Sequence, residues 1–231
     1  MESFKIDYTK YIVPIFDTAT DRFLGSGFLI NNMLVTAFHV GSEISNVWGI
    51  NFLFTGKIYQ LLRFSSNKIV QESYNTPNDE EGNHHDLAVF YIEGIKSPLI
   101  LADKPPILNE TYTSICFQPS AEGCFGMSCD CKIIENLVIR GQKCEKWNNY
   151  SSVLFSGKIG KGSSGSPILR ENVVYGMITD GVSDFFRKKL IAENRENEAL
   201  CCRVMHASYI QQRLQKASHA DKKIPMEDKE V

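Results

Sequence analysis

The stretch "GKIGKGSSGSPIL", residues 157–169, decides how this chain is read: glycines at 157, 160, 162 and 165 and serines at 163, 164 and 166 run straight into an apolar segment of strand character. Glycine tolerates positive φ and lets a backbone approach another group closely, at roughly 0.5–1 kcal/mol where it replaces alanine in regular structure. An ordinary connecting loop does not need so much of it. The composition points to backbone N–H groups held out toward something that is not part of the loop.

Outward from this stretch, the texture is of short β-like runs punctuated by turn residues. The first half carries "YIVPIF" (11–16), "FLGSGFLI" (23–30), "MLVTAF" (33–38), "NVWGINFLF" (46–54), "KIYQLLRF" (57–64) and "DLAVFYI" (86–92). The second carries "YTSICFQ" (112–118), "CKIIENLVI" (131–139), "SSVLFSG" (151–157), "SPILREN" (166–172), "VVYGMITDG" (173–181) and "ALCCRVMH" (199–206). Such spacing predicts an all-β barrel or sandwich in each half. The expected organisation is an N-terminal β-barrel over 1–95, a proline-bearing connector over 96–110, a C-terminal β-barrel with its helix over 111–218, and a charged tail over 219–231. The helix is expected in "ASYIQQRLQKA" (207–217), where Tyr209, Ile210 and Leu214 share a face. Residues 184–200 are charge-dense and read as a surface insertion between strands.

Composition restricts the partners. With 231 residues, 43% of them hydrophobic, the chain can bury one sizeable core or two small ones. Lys and Arg number 25 against 27 Asp and Glu, a formal charge of −2, which favours neither nucleic acid nor an anionic membrane. No run approaches a membrane span, and no basic start followed by an apolar stretch opens the chain, so a soluble, cytoplasmic protein is expected. The seven cysteines (116, 124, 129, 131, 144, 201 and 202) are odd in number and confined to the second half, and reduced thiols are the default. Cys124, Cys129, Cys131 and Cys144 could offer thiolates to zinc, but their spacing matches no paired Cys-x-x-Cys site, and no metal is expected. The glycine loop also fails as a phosphate cradle: the Walker spacing is missing and a strand follows it, not a helix.

A hydroxyl becomes a useful nucleophile only when a base takes its proton and a third group orients that base. Three stretches could supply these parts. "LVTAFHV" places His39 after an apolar strand, "HHDLAVFYI" places Asp86 before another, and "GKGSSGSP" offers Ser164 on the glycine loop. Each has a bland reading: a histidine after a strand is often a structural cap, Asp86 could be a turn residue beside His84 and His85, and Ser163 and Ser166 rival Ser164 as nucleophile. Only Ser164 has a glycine two before and one after it.

The order His, Asp, Ser, with "GSGFLI…VTAFHV", "DLAVF" and "GSSGSP", resembles the chymotrypsin/trypsin-like serine proteases over about residues 10–215. The Ser-Gly-Ser-Pro form is nearer to the bacterial glutamyl endopeptidases and quality-control proteases. The resemblance implies a trypsin-like double barrel, two six-stranded antiparallel β-barrels with a C-terminal helix. It implies His39, Asp86 and Ser164 as the triad, with the N–H groups of Gly162 and Ser164 as the oxyanion hole. It departs from the digestive members at Ser163, where they carry an aspartate that pairs with a newly cut N-terminus. Activation by that route is not expected, and either the oxyanion loop is preformed or an activating protein partner or the substrate orders it.

The expected activity is that of a cofactor-free serine endopeptidase acting on protein or peptide substrates through an acyl-enzyme, with a dedicated intracellular processing or defence-associated role. The alternative is a catalytically idle module of the same fold that binds a partner. For specificity, the resemblance implies a pocket lined by Lys158, Thr179 and Gly181, in which the lysine would favour an acidic side chain before the scissile bond, unless it lies in solvent.

Overall fold

The structure is a computed structural model, and it describes residues 8–17, 20, 22–44, 50–54, 57–62, 64–72, 86–92, 96–121, 123–135, 138–140, 143–145, 149–156, 159–181 and 201–221. A 3-10 turn at Tyr8–Tyr11 leads into the first half. Its strands are β1 (Ile12–Asp17), β2 (Arg22–Ile30), β3 (Met33–Thr36), β4 (Ile50–Phe54), β5 (Lys57–Leu62), β6 (Phe64–Glu72) and β7 (Leu87–Ile92), with a short helix α1 (Phe38–Ile44) after β3. The order β1-β2-β3-β7-β6 makes a five-stranded sheet, antiparallel throughout, and β4 and β5 form a separate ribbon beside β1. The run expected over 57–64 is shared between β5, which ends at Leu62, and β6, which opens at Phe64. Its second part opens β6, "FSSNKIVQE", whose polar residues hide it from a search for apolar runs. Helix α1 is a second element that the apolar runs do not predict; it follows the end of β3 and carries His39.

The second half contains β8 (Ile100–Leu101), β9 (Thr111–Ser120), β10 (Gly123–Glu135), β11 (Val138–Arg140), β12 (Lys143–Glu145), β13 (Tyr150–Phe155), β14 (Pro167–Arg170), β15 (Val173–Gly181) and β16 (Cys201–His206), followed by helix α2 (Ala207–Asp221). The order β14-β9-β10-β13-β16-β15 returns to β14, because β14 also pairs with β15, and six strands close into a barrel. Closure removes free edges, the usual hazard of an antiparallel sheet. Pro167 opens β14, where a missing N–H costs the ladder least. The connector contributes β8, two residues pairing in parallel with Val173 and Val174 of β15.

One apolar core holds both halves together. Ile12, Ile15, Phe28, Leu34 and Leu87 of the first half pack in the same cluster as Tyr150, Leu169, Val174, Met177 and Met205 of the second. The predicted helix face is the one that docks there: Tyr209 and Ile210 are buried and Leu214 packs against them at the edge. A second cluster fills the closed barrel, where Ile133, Val153, Phe155, Ile168, Ile178 and Val204 surround Cys129, Cys131 and Cys202. No described helix is long and apolar enough to cross a membrane. The two halves thus meet along a seam at which β2 and the loop before β14 come into contact, and the candidate site lies on this seam.

Candidate active site

His39 is the second residue of α1, and Asp86 immediately precedes β7, the strand that pairs with β3. That pairing brings the two side chains together from 47 positions apart. Asp86 is fully buried and His39 is 43% exposed, so one partner is fixed while the other reaches the surface. The Asp86 carboxylate accepts the backbone N–H of His39 at 3.1 Å, and His39 Nδ1 stands 3.2 Å from Oδ1 and 3.0 Å from Oδ2. A carboxylate facing Nδ1 selects the tautomer that carries its hydrogen there and leaves Nε2 as the basic nitrogen. Close by, burial drives the Tyr150 hydroxyl far above its ordinary pKa, and the negative charge of Asp86 adds to the effect.

The loop before β14 is held by a tightly alternating set of bonds. The Ser163 N–H and its Oγ both donate to the Gly160 carbonyl, at 3.3 and 3.0 Å. The Ser166 N–H donates to the Ser163 carbonyl at 3.0 Å, and the Gly165 N–H to the Ile178 carbonyl at 2.7 Å. Among the described residues, the N–H groups of Gly162 and Ser164 have no acceptor. Gly162 and Gly165 have φ of +94° and +87°, in the region that favours glycine. A Cβ at Gly165 would collide with the Ser26 carbonyl and the Thr36 hydroxyl; one at Gly162 would collide with the Phe23 ring and lie 2.9 Å from the Phe117 carbonyl.

Three serines compete for the role of nucleophile, and their settings differ. Ser163 and Ser166 are buried, the first with its hydroxyl engaged by Gly160; Ser164 between them is half-buried. Behind the loop, the buried thiol of Cys116 has its pKa lowered, chiefly by the neighbouring Cys129 thiol and also by Ser163, against the opposing effect of burial. Burial pushes the Cys131 thiol up to about 12 and that of Cys124 up to about 11, so both are neutral near pH 7.

Ser164 and His39 belong to different halves, and β2 joins them. The Ser26 N–H donates to the Ser164 carbonyl at 2.9 Å, and the Ser26 carbonyl accepts the Thr36 hydroxyl at 2.7 Å, three residues before His39. Gly25 fills the gap: a Cβ there would lie 2.7 Å from Val40, next to His39, and 3.2 Å from the Ser164 carbonyl. The sequence marks Ser26 and Thr36 only faintly. Their signal was only that small polar residues occupy "GSGF" and "VTAF" in otherwise apolar strands.

Of the residues expected to line a specificity pocket, Lys158 lies outside the described residues. Thr179 is buried at a bulge in the β15–β16 ladder, its hydroxyl donating to the Arg203 carbonyl at 3.4 Å. Gly181 pairs with Cys202. Among the described residues, no group of three or more His, Cys, Asp or Glu side chains is placed to hold a metal ion.

No protein-family model and no curated protein matches the chain. Solved structures do. Kallikrein-related peptidase 10 is 13% identical over 91% of this chain and 96% of its own, with a TM-score of 0.63. The active form of the Rv3671c protease from M. tuberculosis is 16% identical over 90% and 81%, with a TM-score of 0.58. The serine endoprotease from Yersinia pestis is 14% identical over 95% and 69%, with a TM-score of 0.59. At these identities the likeness concerns the fold: the chain has the trypsin-like double-barrel architecture of these proteases.

Proposed function

We propose that this protein is a serine endopeptidase that cleaves protein or peptide chains through an acyl-enzyme formed on Ser164. The observation that carries the reading is the pairing of two arrangements on one seam: a half-exposed histidine held by a buried carboxylate, and a serine loop with two N–H groups that have no acceptor among the described residues. In the reaction, His39 Nε2 takes the proton from Ser164 Oγ as the oxygen bonds to the scissile carbonyl carbon. Negative charge then builds on the carbonyl oxygen, and the Gly162 and Ser164 N–H groups receive it. One such donor is worth roughly 3–4 kcal/mol of transition-state stabilisation. Asp86 stabilises the imidazolium, which returns its proton to the leaving amine; the C–N bond breaks and the acyl group stays on Ser164. Water, deprotonated by His39, then releases the acid and restores the serine.

The similar structures carry protease names, which supports peptide bonds as the substrate class. The buried thiols of Cys116, Cys129 and Cys131 support work in a reducing compartment, as an intracellular processing or defence-associated enzyme would do.

Labelling with a fluorophosphonate tests the reading. The wild type is expected to label stoichiometrically, Ser164→Ala to lose all labelling with its fold intact, and Ser163→Ala to keep most of it. A folded wild type that takes no label would instead describe an idle, partner-binding member of the fold, and labelling of Ser164→Ala would remove the serine from its role.

A further inference from the structure

Ser26 is fully buried in β2, in the half of the molecule opposite to Ser164, and every polar atom it has is used. Its Oγ–H donates to the Gly162 carbonyl at 2.7 Å, and its Oγ accepts the Phe117 N–H at 3.0 Å. Its N–H donates to the Ser164 carbonyl at 2.9 Å, and its carbonyl accepts the Thr36 hydroxyl at 2.7 Å. Two of the four bonds end on the two residues whose N–H groups form the candidate oxyanion hole.

We propose that Ser26 is a positioning residue that holds the oxyanion hole in its receiving form without cleavage of the chain or an activating partner; the inference rests on the peptidase reading of Ser164. The physical basis is the planarity of the peptide unit, in which C=O and the next N–H point in opposite directions. The Gly162–Ser163 unit is pinned at both ends, by Ser26 Oγ on its carbonyl and by Gly160 on its N–H. The Ser164–Gly165 unit is pinned in the same way, by the Ser26 N–H and the Ile178 carbonyl. Between them, the Ser163 carbonyl accepts the Ser166 N–H, so the Ser164 N–H of the same unit points the other way. Gly162 is the joint most able to swing, being a glycine at φ +94°, and the Ser26 hydroxyl fixes one side of it. All of these anchors are neutral. Ser163, the residue before the nucleophile, contributes hydrogen bonds to Gly160 and no charge, so the loop does not wait for an ion pair to order it.

The experiment compares wild type, Ser26→Ala and Ser151→Ala. Ser151 is a buried serine whose hydroxyl meets His206, so its loss reports the generic cost of removing a buried hydroxyl. Two quantities are read: the fluorophosphonate labelling rate per folded molecule across pH, and hydrogen exchange of the 160–166 segment by mass spectrometry. Ser26→Ala is expected to label about 10- to 100-fold more slowly at every pH, part of the 10²–10³ that a whole donor is worth. Its pH profile should keep the wild-type midpoint, because His39 and Asp86 are untouched, and exchange at 160–166 should accelerate about tenfold or more as the loop opens. Ser151→Ala should lower the melting temperature without changing either quantity. Should Ser26→Ala not fold, Ser26→Cys keeps a weaker donor in the same place and should show the same slowing in smaller degree. Wild-type labelling and wild-type exchange in a folded Ser26 variant would overturn the proposal, as would a shifted pH midpoint, which would place the effect on His39. Absence of label on the wild type, with exchange still accelerated in the variant, would refute the peptidase reading and leave the structural role of Ser26 standing.

Discussion

Lowering the pH should unfold this protein in part through one buried histidine. His206 ends β16, is only 5% exposed, and has Nε2 2.8 Å from Ser151 Oγ and a further bond to the Tyr150 backbone. Burial pushes its pKa from 6.5 down to about 4, against the weaker opposing effect of the Tyr150 bond. Below pH 6.5 the unfolded chain therefore takes up a proton that the folded chain refuses. The stability His206 contributes is complete above 6.5 and is lost as the pH falls toward 4. From these two values the loss is about 2 kcal/mol at pH 5 and about 3 kcal/mol at pH 4, at 1.36 kcal/mol per pKa unit. Urea unfolding followed by circular dichroism, at pH 7.5 and pH 5.0, measures it on wild type and His206→Gln. Carboxylates elsewhere titrate equally in both proteins, so the difference between the two isolates the histidine. At pH 7.5 the variant should be less stable by about 1–3 kcal/mol, for the bonds it makes poorly. At pH 5.0 the gap should shrink by about 2 kcal/mol, or change sign. A gap of the same size at both pH values would refute a neutral, buried His206.

Two substitutions address the site itself. Asp86→Asn leaves one oxygen to accept from both the backbone N–H and Nδ1–H of His39, so the imidazole loses its enforced tautomer; the labelling rate should fall by about 10³–10⁴ with the melting temperature nearly unchanged, and a fall of less than tenfold would show that Asp86 does not orient the base. Gly162→Ala drives a methyl into the Phe23 ring and toward the Phe117 carbonyl at a φ that alanine avoids, so calorimetry should show a stability loss of about 1–3 kcal/mol, and labelling should slow by at least about 10²; wild-type labelling would mean that the Gly162 N–H does not receive the oxyanion.

Some of this architecture can be read directly along the chain. The runs over 11–16, 23–30 and 33–38 are apolar because β1, β2 and β3 put most of their residues into the shared core, so their composition alone marks them. The face formed by Tyr209, Ile210 and Leu214 is legible for the same reason at a helical period. β6 and β8 escape such a search: the first is largely polar, and the second is two residues whose identity as a strand depends entirely on its neighbour, β15. Helix α1 is hidden as well, since "FHVGSEI" holds a glycine and little periodicity, and what places it is the Asp86 carboxylate that accepts its His39 N–H.

Residue identity and order already carry the chemistry on offer: His39, Asp86 and a glycine-flanked Ser164 in that order, on a chain of short strands with nearly balanced charge. Residue type decides what a side chain can donate, accept or attack, and Gly162 and Gly165, at positive φ in the serine loop, are legible because few other residues can take their place. Which atoms face which follows from packing. The glycine frame already favours Ser164 over Ser163 in the sequence; packing adds that Ser163 is buried with its hydroxyl on the Gly160 carbonyl while Ser164 is half-buried. The part played by Ser26 lies deeper still, because its hydroxyl reaches a carbonyl 136 residues away. Hydrogen bonds over that span exist only after two halves have packed along a common core, and orientation at the level of single peptide planes is a property of that packing.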